Sequence, residues 1–359
     1  FEIPSNLILQ RVGAKLWIAR IMLTWGMIAT AMMFVHNVPS FYLLRFLLGV
    51  AEAGFFPGII FYLSLWFPSI ERGKTNALFM TAASLSGIVS GPLSGFLLSF
   101  DNLGGVQGWQ WLFLIEGLPA TLFSAVIFFY LPNNLSEVAW LSIEEKNWLI
   151  DALLKDKTTT LPQSHRLKEA FKNLKVWLFA AIYFTICIGL YGIGFWLPRL
   201  LKTFSTMTDL QLGFVSAIPY LVATVGMVII SSHSDRTQER RWHLVVSLLL
   251  AATGLALGSL VSNPILLLLS LTLAYLGVWS SIPTFWTVPN TFLQGTGAAA
   301  GIALINSVGN LGGFVGPFLI GLIKQITQHF SGALLTVGTC LLLGACLSFY
   351  GTSFLKSDR

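Results

Sequence analysis

The stretch that decides the fold is Arg45-Phe-Leu-Leu-Gly-Val-Ala-Glu52-Ala-Gly-Phe-Phe-Pro57-Gly58, which lies inside an apolar run from 41 to 67. That run is long enough to cross a bilayer, so a cation and a carboxylate share one predicted membrane-spanning helix. Seven residues at about 100° each return Arg45 and Glu52 to almost the same face, about 10 Å apart along the axis. Ionisable groups at that depth are costly and usually face a polar interior.

Two interpretations of this pair are open at the level of the sequence. In the first, Arg45 and Glu52 form a structural ion pair that holds neighbouring helices together. In the second, the arginine binds an anion and the glutamate carries a proton. We favour the second, because small residues that leave space for a ligand surround the pair, namely Gly49, Ala53 and Gly54.

The composition identifies an all-α polytopic membrane protein. Hydrophobic residues make up 55% of the chain and charged residues only 10%, with a mean hydropathy of +0.76, and apolar runs of about 18 residues or more recur. The net charge of +6 does not indicate nucleic-acid binding, because the basic residues gather in alternate loops. The three cysteines lie in apolar runs without metal-ligand spacing, so we expect no disulfide framework and no metal site.

The apolar runs divide the chain into three parts. Residues 1–131 hold the end of one span and four whole spans, residues 132–175 form a polar linker, and residues 176–359 hold six spans. Within the linker, Ser142 is predicted to cap a short surface helix with Glu145 at its third position.

Two matches indicate that the halves are repeats. Arg11 corresponds to Arg236, and Gly91-Pro92 corresponds to Gly316-Pro317, with the same sequence offset in both cases. Two matches with one offset predict a parent protein of twelve spans in two six-helix halves. On this spacing about 50 residues, the first helix and most of the second, precede Phe1 in the parent protein.

The distribution of basic residues predicts the orientation. Most of the 21 Lys and Arg residues fall on the side of the linker and of the loops around Arg11 and Arg236. The opposite side holds only Arg199, Lys202 and Lys324. Because basic loops stay in the cytoplasm, the linker and the C-terminus are predicted to be cytoplasmic.

The loops Gln10-Arg11-Val-Gly13 and Ser234-Asp235-Arg236-Thr-Gln238-Glu-Arg240 carry a resemblance to a known family. They resemble the two copies of the signature of major facilitator superfamily (MFS) transporters, usually Gly-x-Leu-x-Asp-Arg-x-Gly-Arg-Arg. The first copy has Gln10 in place of the aspartate, and the second has Gln238 in place of the glycine. Gly91-Pro92 resembles the fifth-helix motif of the same superfamily. The resemblance implies the MFS fold and gating or conformational roles for Arg11, Asp235, Arg236, Gly91 and Pro92.

A second set of motifs is similar to the anion:cation symporter family and covers essentially the whole chain. That family includes proton-coupled permeases for tartrate, galactonate, rhamnonate and hydroxyphenylacetate. The resemblance implies a secondary active transporter that moves an organic anion together with protons, with Arg45 in the anion site and Glu52 as the proton carrier. The first-helix Asp-Arg pair of the family has no counterpart in this sequence. The motifs are Glu2-Ile-Pro-Ser-Asn6-Leu, Arg45 to Gly58, Gly108 to Pro119, Phe285-Trp286 and Asn306-Ser-Val-Gly-Asn310.

Polar and aromatic residues of the second half are candidate substrate contacts. Asn306 and Asn310 are four residues apart on one helical face, where their amides would bond either substrate hydroxyls or neighbouring helices. Thr284 and Trp286 lie between two prolines, which commonly mark bent helices that line a cavity. Tyr191, like Tyr183, is an aromatic candidate on the seventh helix.

Glu116 is the rival carboxylate to Glu52. It follows Trp109 and Trp111, which are typical interfacial anchors. We therefore expect Glu116 near the outer surface, in a gating or helix-capping role rather than in proton transport.

The sequence shows no nucleotide-binding loop, nucleophile elbow or metal cluster, so neither an enzyme nor an ATP-driven pump is predicted. No cofactor is expected. The expected partners are a small organic anion, protons and the lipid bilayer of the plasma membrane, and the expected state is a monomer. The alternatives within transport are an aromatic carboxylate permease and an uncoupled facilitator or exchanger. A membrane-embedded enzyme or receptor would need a catalytic constellation or a soluble domain, and neither is visible.

Overall fold

The computed structural model describes residues 1–67, 69–138, 140–158, 172–203, 206–289 and 296–352. Within these ranges the chain is helical and contains no strand, only an isolated bridge between Leu103 and Val106. The prediction of an all-α membrane protein is therefore confirmed. The predicted cytoplasmic C-terminus, residues 353–359, and residues 159–171 of the linker lie outside the described ranges.

The helices are numbered in chain order. The first seven are α1 (Glu2–Val12), α2 (Ala14–Ala31), α3 (Val38–Glu52), α4 (Phe55–Trp66), α5 (Ser69–Leu98), α6 (Gly108–Tyr130) and α7 (Ile143–Thr158). The others are α8 (Leu174–Thr203), α9 (Asp209–Thr237), α10 (Arg241–Leu260), α11 (Pro264–Thr287), α12 (Thr296–Asn310), α13 (Gly312–Thr327) and α14 (Ser331–Gly351). Short 3₁₀ turns occur at Met32–Phe34 and Leu135–Glu137.

In the described part of the chain, nine helical segments are long and apolar enough to cross a membrane. They correspond to nine of the ten whole spans that the sequence predicts. The remaining one, residues 41–67, is broken into α3 and α4, which are too short to qualify separately. The nine are Ala14–Phe34, Thr81–Leu98, Gly108–Tyr130, Leu174–Thr203, Asp209–Thr237, Arg241–Leu260, Pro264–Thr287, Leu304–Thr327 and Ser331–Gly351.

The break between α3 and α4 lies directly after Glu52. Ala53 leaves the helical conformation with ψ 126°, and Gly54 is left-handed with φ 88° and ψ 0°. Glycine accepts this conformation without a Cβ clash, and Pro57 has no N–H to donate to the carbonyl of Ala53. The prediction of one continuous helix over 41–67 is therefore wrong, although Arg45 and Glu52 do share α3.

The contacts divide the chain into two compact units. The first comprises Phe1–Met80 and Phe96–Thr160. Its core forms where Leu9, Ala14 and Ile18 pack against aromatic and aliphatic side chains of α2, α4 and α6. Trp17 Nε1 donates to Ser5 Oγ at 2.9 Å and ties α2 to α1. The amide of Gln110 donates to the Met33 carbonyl at 2.8 Å and joins the start of α6 to the 3₁₀ turn that follows α2.

The second unit comprises Thr81–Gly95 and Leu161–Arg359. Its core runs through α8 to α14 and is built from fully buried side chains such as Phe179, Leu248, Tyr275 and Leu341. Tyr275 is the largest of them, and its hydroxyl donates to the Tyr220 hydroxyl at 3.0 Å, so the buried phenol is satisfied.

The linker contains the helix that the sequence predicts. The backbone N–H of Ser142 donates to Glu145 Oε2 at 2.8 Å, and the N–H of Glu145 donates to Ser142 Oγ at 3.2 Å. This reciprocal pair is the capping box, and the hydrogen bonds from Ser142 lower the pKa of Glu145. The predicted cap at the start of α7 is confirmed.

Candidate functional site

The charged face of α3 is the candidate site of the first unit. The side chains of Arg45 and Glu52 are both exposed, and the guanidinium carbon of Arg45 lies 5.3 Å from the centroid of the Phe41 ring. A Cβ atom on Gly49 would meet no heavy atom within 4 Å, so space adjoins the pair. Among the described residues, no ion pair joins Arg45 or Glu52 to an oppositely charged side chain. This arrangement does not support the structural ion pair that the sequence left open.

An aromatic and amide cluster around Tyr183 is the corresponding feature of the second unit. The ring of Tyr183 on α8 stacks on Phe285 at 5.1 Å and meets Trp286 edge-on at 4.9 Å between centroids. One turn later, Cys187 Sγ donates to Asn310 Oδ1 at 3.8 Å. Helix α8 therefore brings two predicted residues, Trp286 and Asn310, to neighbouring turns of the same helix.

Thr284 lies apart from Trp286. Two residues on a helix are separated by about 200°, so the two side chains point to opposite faces of α11. Thr284 is only 1% exposed, and its hydroxyl has no hydrogen-bond partner among the described residues. The structure therefore does not bring these two predicted contacts together on one surface.

Tyr183 and Tyr191 lie against glycines. A Cβ atom on Gly309 would fall 2.1 Å from the Tyr183 ring, and one on Gly313 would fall 2.9 Å from the Tyr191 ring. Tyr191 is 39% exposed, and its ring stacks on Phe195 with centroids 6.4 Å apart. Asn306, one turn before Asn310, is half-buried on α12.

Gly91 and Pro92 lie where α5 crosses α9 within the second unit. A Cβ atom on Gly91 would fall 2.6 Å from the Gly213 carbonyl oxygen, and one on Gly213 would fall 2.3 Å from the Gly91 carbonyl oxygen. Glycine at both positions lets the two backbones touch. The conformational role of Gly91 and Pro92 stays a prediction.

The charged residues of the two signature loops lie at or just after the ends of helices α1 and α9. Arg11 is exposed in the last turn of α1, and Arg236 is exposed in the last turn of α9. The carboxylate of Asp235 pairs with Arg240 rather than with its neighbour Arg236. Arg240 also donates to Ser234 Oγ at 3.1 Å.

Glu116 has an exposed side chain on α6, in the third turn after the helix begins at Gly108. It lies in the first unit, as Glu52 does, but on a different helix. Its gating role stays a prediction.

The sequence analysis of the loop around Arg236 does not identify the side chains that meet in the turn between α9 and α10. Arg240 is the cation of the Asp235 pair, and Glu239 accepts hydrogen bonds from the backbone N–H groups of Trp242 and His243. The sequence does contain a signal for this turn, because Glu239 stands two residues before the start of α10 at Arg241. A glutamate that caps a helix can be recognised only when the first residue of the helix is known, and helix boundaries are uncertain by one or two residues.

Comparisons with known proteins agree with this architecture. Residues 1–317 match the family model described as Major Facilitator Superfamily. A protein of Agrobacterium vitis whose name refers to tartrate transport is 47% identical over 97% of this chain and 77% of its own length. A quinolone resistance transporter of Acinetobacter baumannii is 43% identical over 100% of this chain and 83% of its own length.

The fold is also similar to solved structures. A bacterial homolog of the human lysosomal transporter Spinster, in an inward-facing and unoccupied conformation, superposes with a TM-score of 0.77 at 14% identity and covers 100% of this chain and 87% of its own. At that identity the likeness concerns the fold alone. Together with the helical spans, these matches show that the chain is a multi-pass membrane transporter and not an enzyme, and that it belongs to the Major Facilitator Superfamily, among its anion:cation symporter-like members.

Proposed function

We propose that this protein is a proton-coupled symporter of an organic anion that works by alternating access. The observation that carries the proposal is the charged face of α3, where an exposed guanidinium and an exposed carboxylate share one face beside open space in an apolar segment. Charges that serve only packing would be paired within the protein. Unpaired charges in a membrane segment are typical of a transport pathway.

Arg45 is the proposed anchor for the substrate carboxylate. A guanidinium presents a planar fork of donors that matches a carboxylate bidentately, and it keeps its charge in every step of a transport cycle. Its ring contact with Phe41 limits where the fork can point without consuming its N–H donors. The anchor is therefore preorganised for an anion.

Glu52 is the proposed proton carrier. It is the last residue of α3, and the backbone turns at Ala53 and Gly54 immediately after it. Broken helices in transporters place exposed backbone and charged groups beside the coupling ion. Gain and loss of a proton at Glu52 changes the net charge beside Arg45 by one unit, which links proton binding to anion binding.

The second unit supplies the remaining proposed contacts. Trp286 and Tyr191 offer ring faces, and Asn306 and Asn310 offer amides for substrate hydroxyls. Thr284 is buried in this structure. It would contact the substrate only after a rearrangement of α11 or its neighbours.

The proposed substrate is a sugar acid or a small carboxylate such as tartrate. The relative named for tartrate transport supports this class, and hydroxylated acids suit the asparagine amides. An aromatic carboxylate is the second candidate, and it is favoured by the relative named for quinolone resistance, since quinolones are aromatic carboxylic acids. We place the protein in the plasma membrane as a monomer, with its linker and C-terminus in the cytoplasm.

The decisive experiment separates exchange from accumulation in liposomes that contain the protein. Glu52→Gln mimics the protonated glutamate, so the variant should still exchange labelled for unlabelled anion. It should fail to concentrate the anion in response to a pH gradient, because no proton is released at that position. Wild-type accumulation by Glu52→Gln would remove Glu52 from the coupling mechanism.

Glu116→Gln is the comparison variant, because it removes an exposed carboxylate on another helix of the same unit, where we expect a gating or helix-capping role rather than proton transport. We expect this variant to accumulate the anion. If the wild type exchanges the anion but a pH gradient drives no accumulation, the protein is an uncoupled exchanger. If tartrate-type and aromatic acids both fail to exchange, organic-anion transport itself is excluded.

A further inference from the structure

Three side chains form a hydrogen-bonded chain in the turn between α9 and α10, within the second unit. His243 Nδ1 lies 2.9 Å from Glu239 Oε2, and His243 Nε2 lies 2.7 Å from His233 Nδ1. His233 belongs to the last turns of α9 and His243 to the first turn of α10. The chain therefore ties the end of one span to the start of the next.

The carboxylate end of this chain fixes where the protons lie. Glu239 also accepts from the backbone N–H groups of Trp242 at 2.8 Å and of His243 at 3.3 Å. Burial disfavours its charged form, but these hydrogen bonds outweigh burial and lower the pKa of Glu239. The glutamate is thus an anion near neutral pH, and His243 must donate to it through Nδ1–H.

It follows that the two rings can share one proton but not two. With Nδ1–H directed at Glu239, a neutral His243 accepts through Nε2, so His233 donates through Nδ1–H. A proton added at the exposed His233 Nε2 leaves every contact intact. A second proton, on His243 Nε2, would break the contact between the rings and place two cations side by side. The hydrogen bond between the two rings therefore accommodates one added proton and is lost with two.

The other charged groups near the pair are already engaged or face outward. Asp235 is paired with Arg240. On α10, the guanidinium of Arg241 lies 4.0 Å from the Phe349 ring centroid of α14. Arg236 on α9 and Tyr350 on α14 are exposed. Within the described residues, Glu239 is the carboxylate that contacts the pair.

We propose that Glu239, His243 and His233 form a proton-binding site on the cytoplasmic side, distinct from Glu52, that takes up a single proton and slows transport when the cytoplasm becomes acidic. The bound proton places one positive charge on the two rings, and this charge attracts the Glu239 carboxylate. The tie between α9 and α10 becomes stronger, and the turn rearranges less readily. The effect on transport rests on the proposed function, whereas the proton site itself does not.

The first test is nitrogen NMR of the histidine rings in the full chain, reconstituted in lipid nanodiscs. We expect His233 and His243 to take up one proton between them as the pH is lowered. Glu239→Gln keeps an acceptor for the backbone N–H groups but removes the charge, so the pair should bind its proton more weakly. His329→Gln removes a histidine elsewhere in the chain and should leave the pair unchanged.

The second test compares uptake rates of wild type and His233→Gln in liposomes at the same series of internal pH values. The driving force is identical for both proteins, so their rate ratio isolates the site. We expect the wild type to become about threefold slower relative to the variant at acidic internal pH, the size typical of a partly exposed charge pair.

The outcomes separate the two proposals. Independent protonation of His233 and His243, with one proton each, would overturn the single-proton site. A rate ratio that does not change with internal pH would overturn its role in transport. Absence of organic-anion uptake by the wild type would contradict the proposed function, while the NMR titration would still decide the proton site.

Discussion

Arg45 carries a permanent charge into an apolar segment, and its geometry decides what that charge can do. Its guanidinium is exposed and lies 5.3 Å from the Phe41 ring centroid. A lysine at this position would retain the charge, but it would lose the planar fork and the favourable contact of that fork with a ring. Shape as well as charge should therefore matter for an anion held here.

We expect Arg45→Lys to bind the transported anion about tenfold to a hundredfold more weakly, since a hydrogen bond to a charged group contributes about 1.5–3 kcal/mol. The measurement is the concentration dependence of exchange in liposomes. Arg199→Lys, an exposed arginine on α8, is the control and should behave as wild type. Unchanged affinity in Arg45→Lys would exclude the anchor role.

Spacing along one helix could be read from the sequence, whereas partners on other helices could not. The seven-residue interval correctly predicts that Arg45 and Glu52 share a face of α3. The pairing of Asp235 with Arg240, and of Asn310 with Cys187, depends on which turns meet in space. The periodicity of hydrophobic residues along the chain does not predict these contacts.

Among the elements, the crossing of α5 and α9 depends on two facing glycines. The backbones approach so closely that a Cβ on Gly91 would lie 2.6 Å from the Gly213 carbonyl oxygen. Backbone atoms cannot move aside as a flexible side chain can, so the helices would have to separate. The Gly91-Pro92 motif, for which we predict a conformational role, therefore lies where the backbones of α5 and α9 are in direct contact.

We expect Gly91→Ala to destabilise the protein by about 1–3 kcal/mol, the usual cost of overpacking. Thermal unfolding in detergent would measure this change. Gly49→Ala is the matched control, because a Cβ at that position meets open space and alanine favours a helix. A lower melting temperature for Gly49→Ala than for Gly91→Ala would contradict the packing argument.

Helix existence was easier to predict than helix continuity. Apolar length identifies nine spans correctly, and the capping box identifies α7. The break after Glu52 was missed because hydropathy does not register backbone conformation, although Gly54 and Pro57 both signal it. Ala53 and Gly54, which the sequence presents as small residues in an apolar run, separate the end of α3 from the start of α4.

At the scale of the whole molecule, the charge asymmetry predicts which loops face the cytoplasm. The α7 helix of the linker and the turn between α9 and α10 should lie on one side of the membrane, and the segment between α8 and α9 on the other. The described residues fit alternating spans of suitable length. The sidedness itself is a prediction.

A labelling experiment in intact bacteria tests that sidedness. A cysteine would be placed at the exposed position Asn147 on α7 or Thr206 before α9, in a protein whose Cys187, Cys340 and Cys346 are replaced by serine. A membrane-impermeant maleimide should label Thr206→Cys in intact cells and Asn147→Cys only after permeabilisation. The reverse pattern would invert the topology.

The rings of Tyr183 and Tyr191 resting on Gly309 and Gly313 limit how α8 can move against its neighbours. Each ring occupies a notch that only a missing side chain provides, so the two helical surfaces mesh at one register. If α8 slid gradually along these helices, each tyrosine ring would clash with the side chain next to its glycine. A shift of α8 by one full helical turn would require both rings to leave their glycines at the same time. During any transport cycle, α8 should therefore move together with α12 and α13 as one rigid body. The conformational change of the cycle should then occur at other helix contacts.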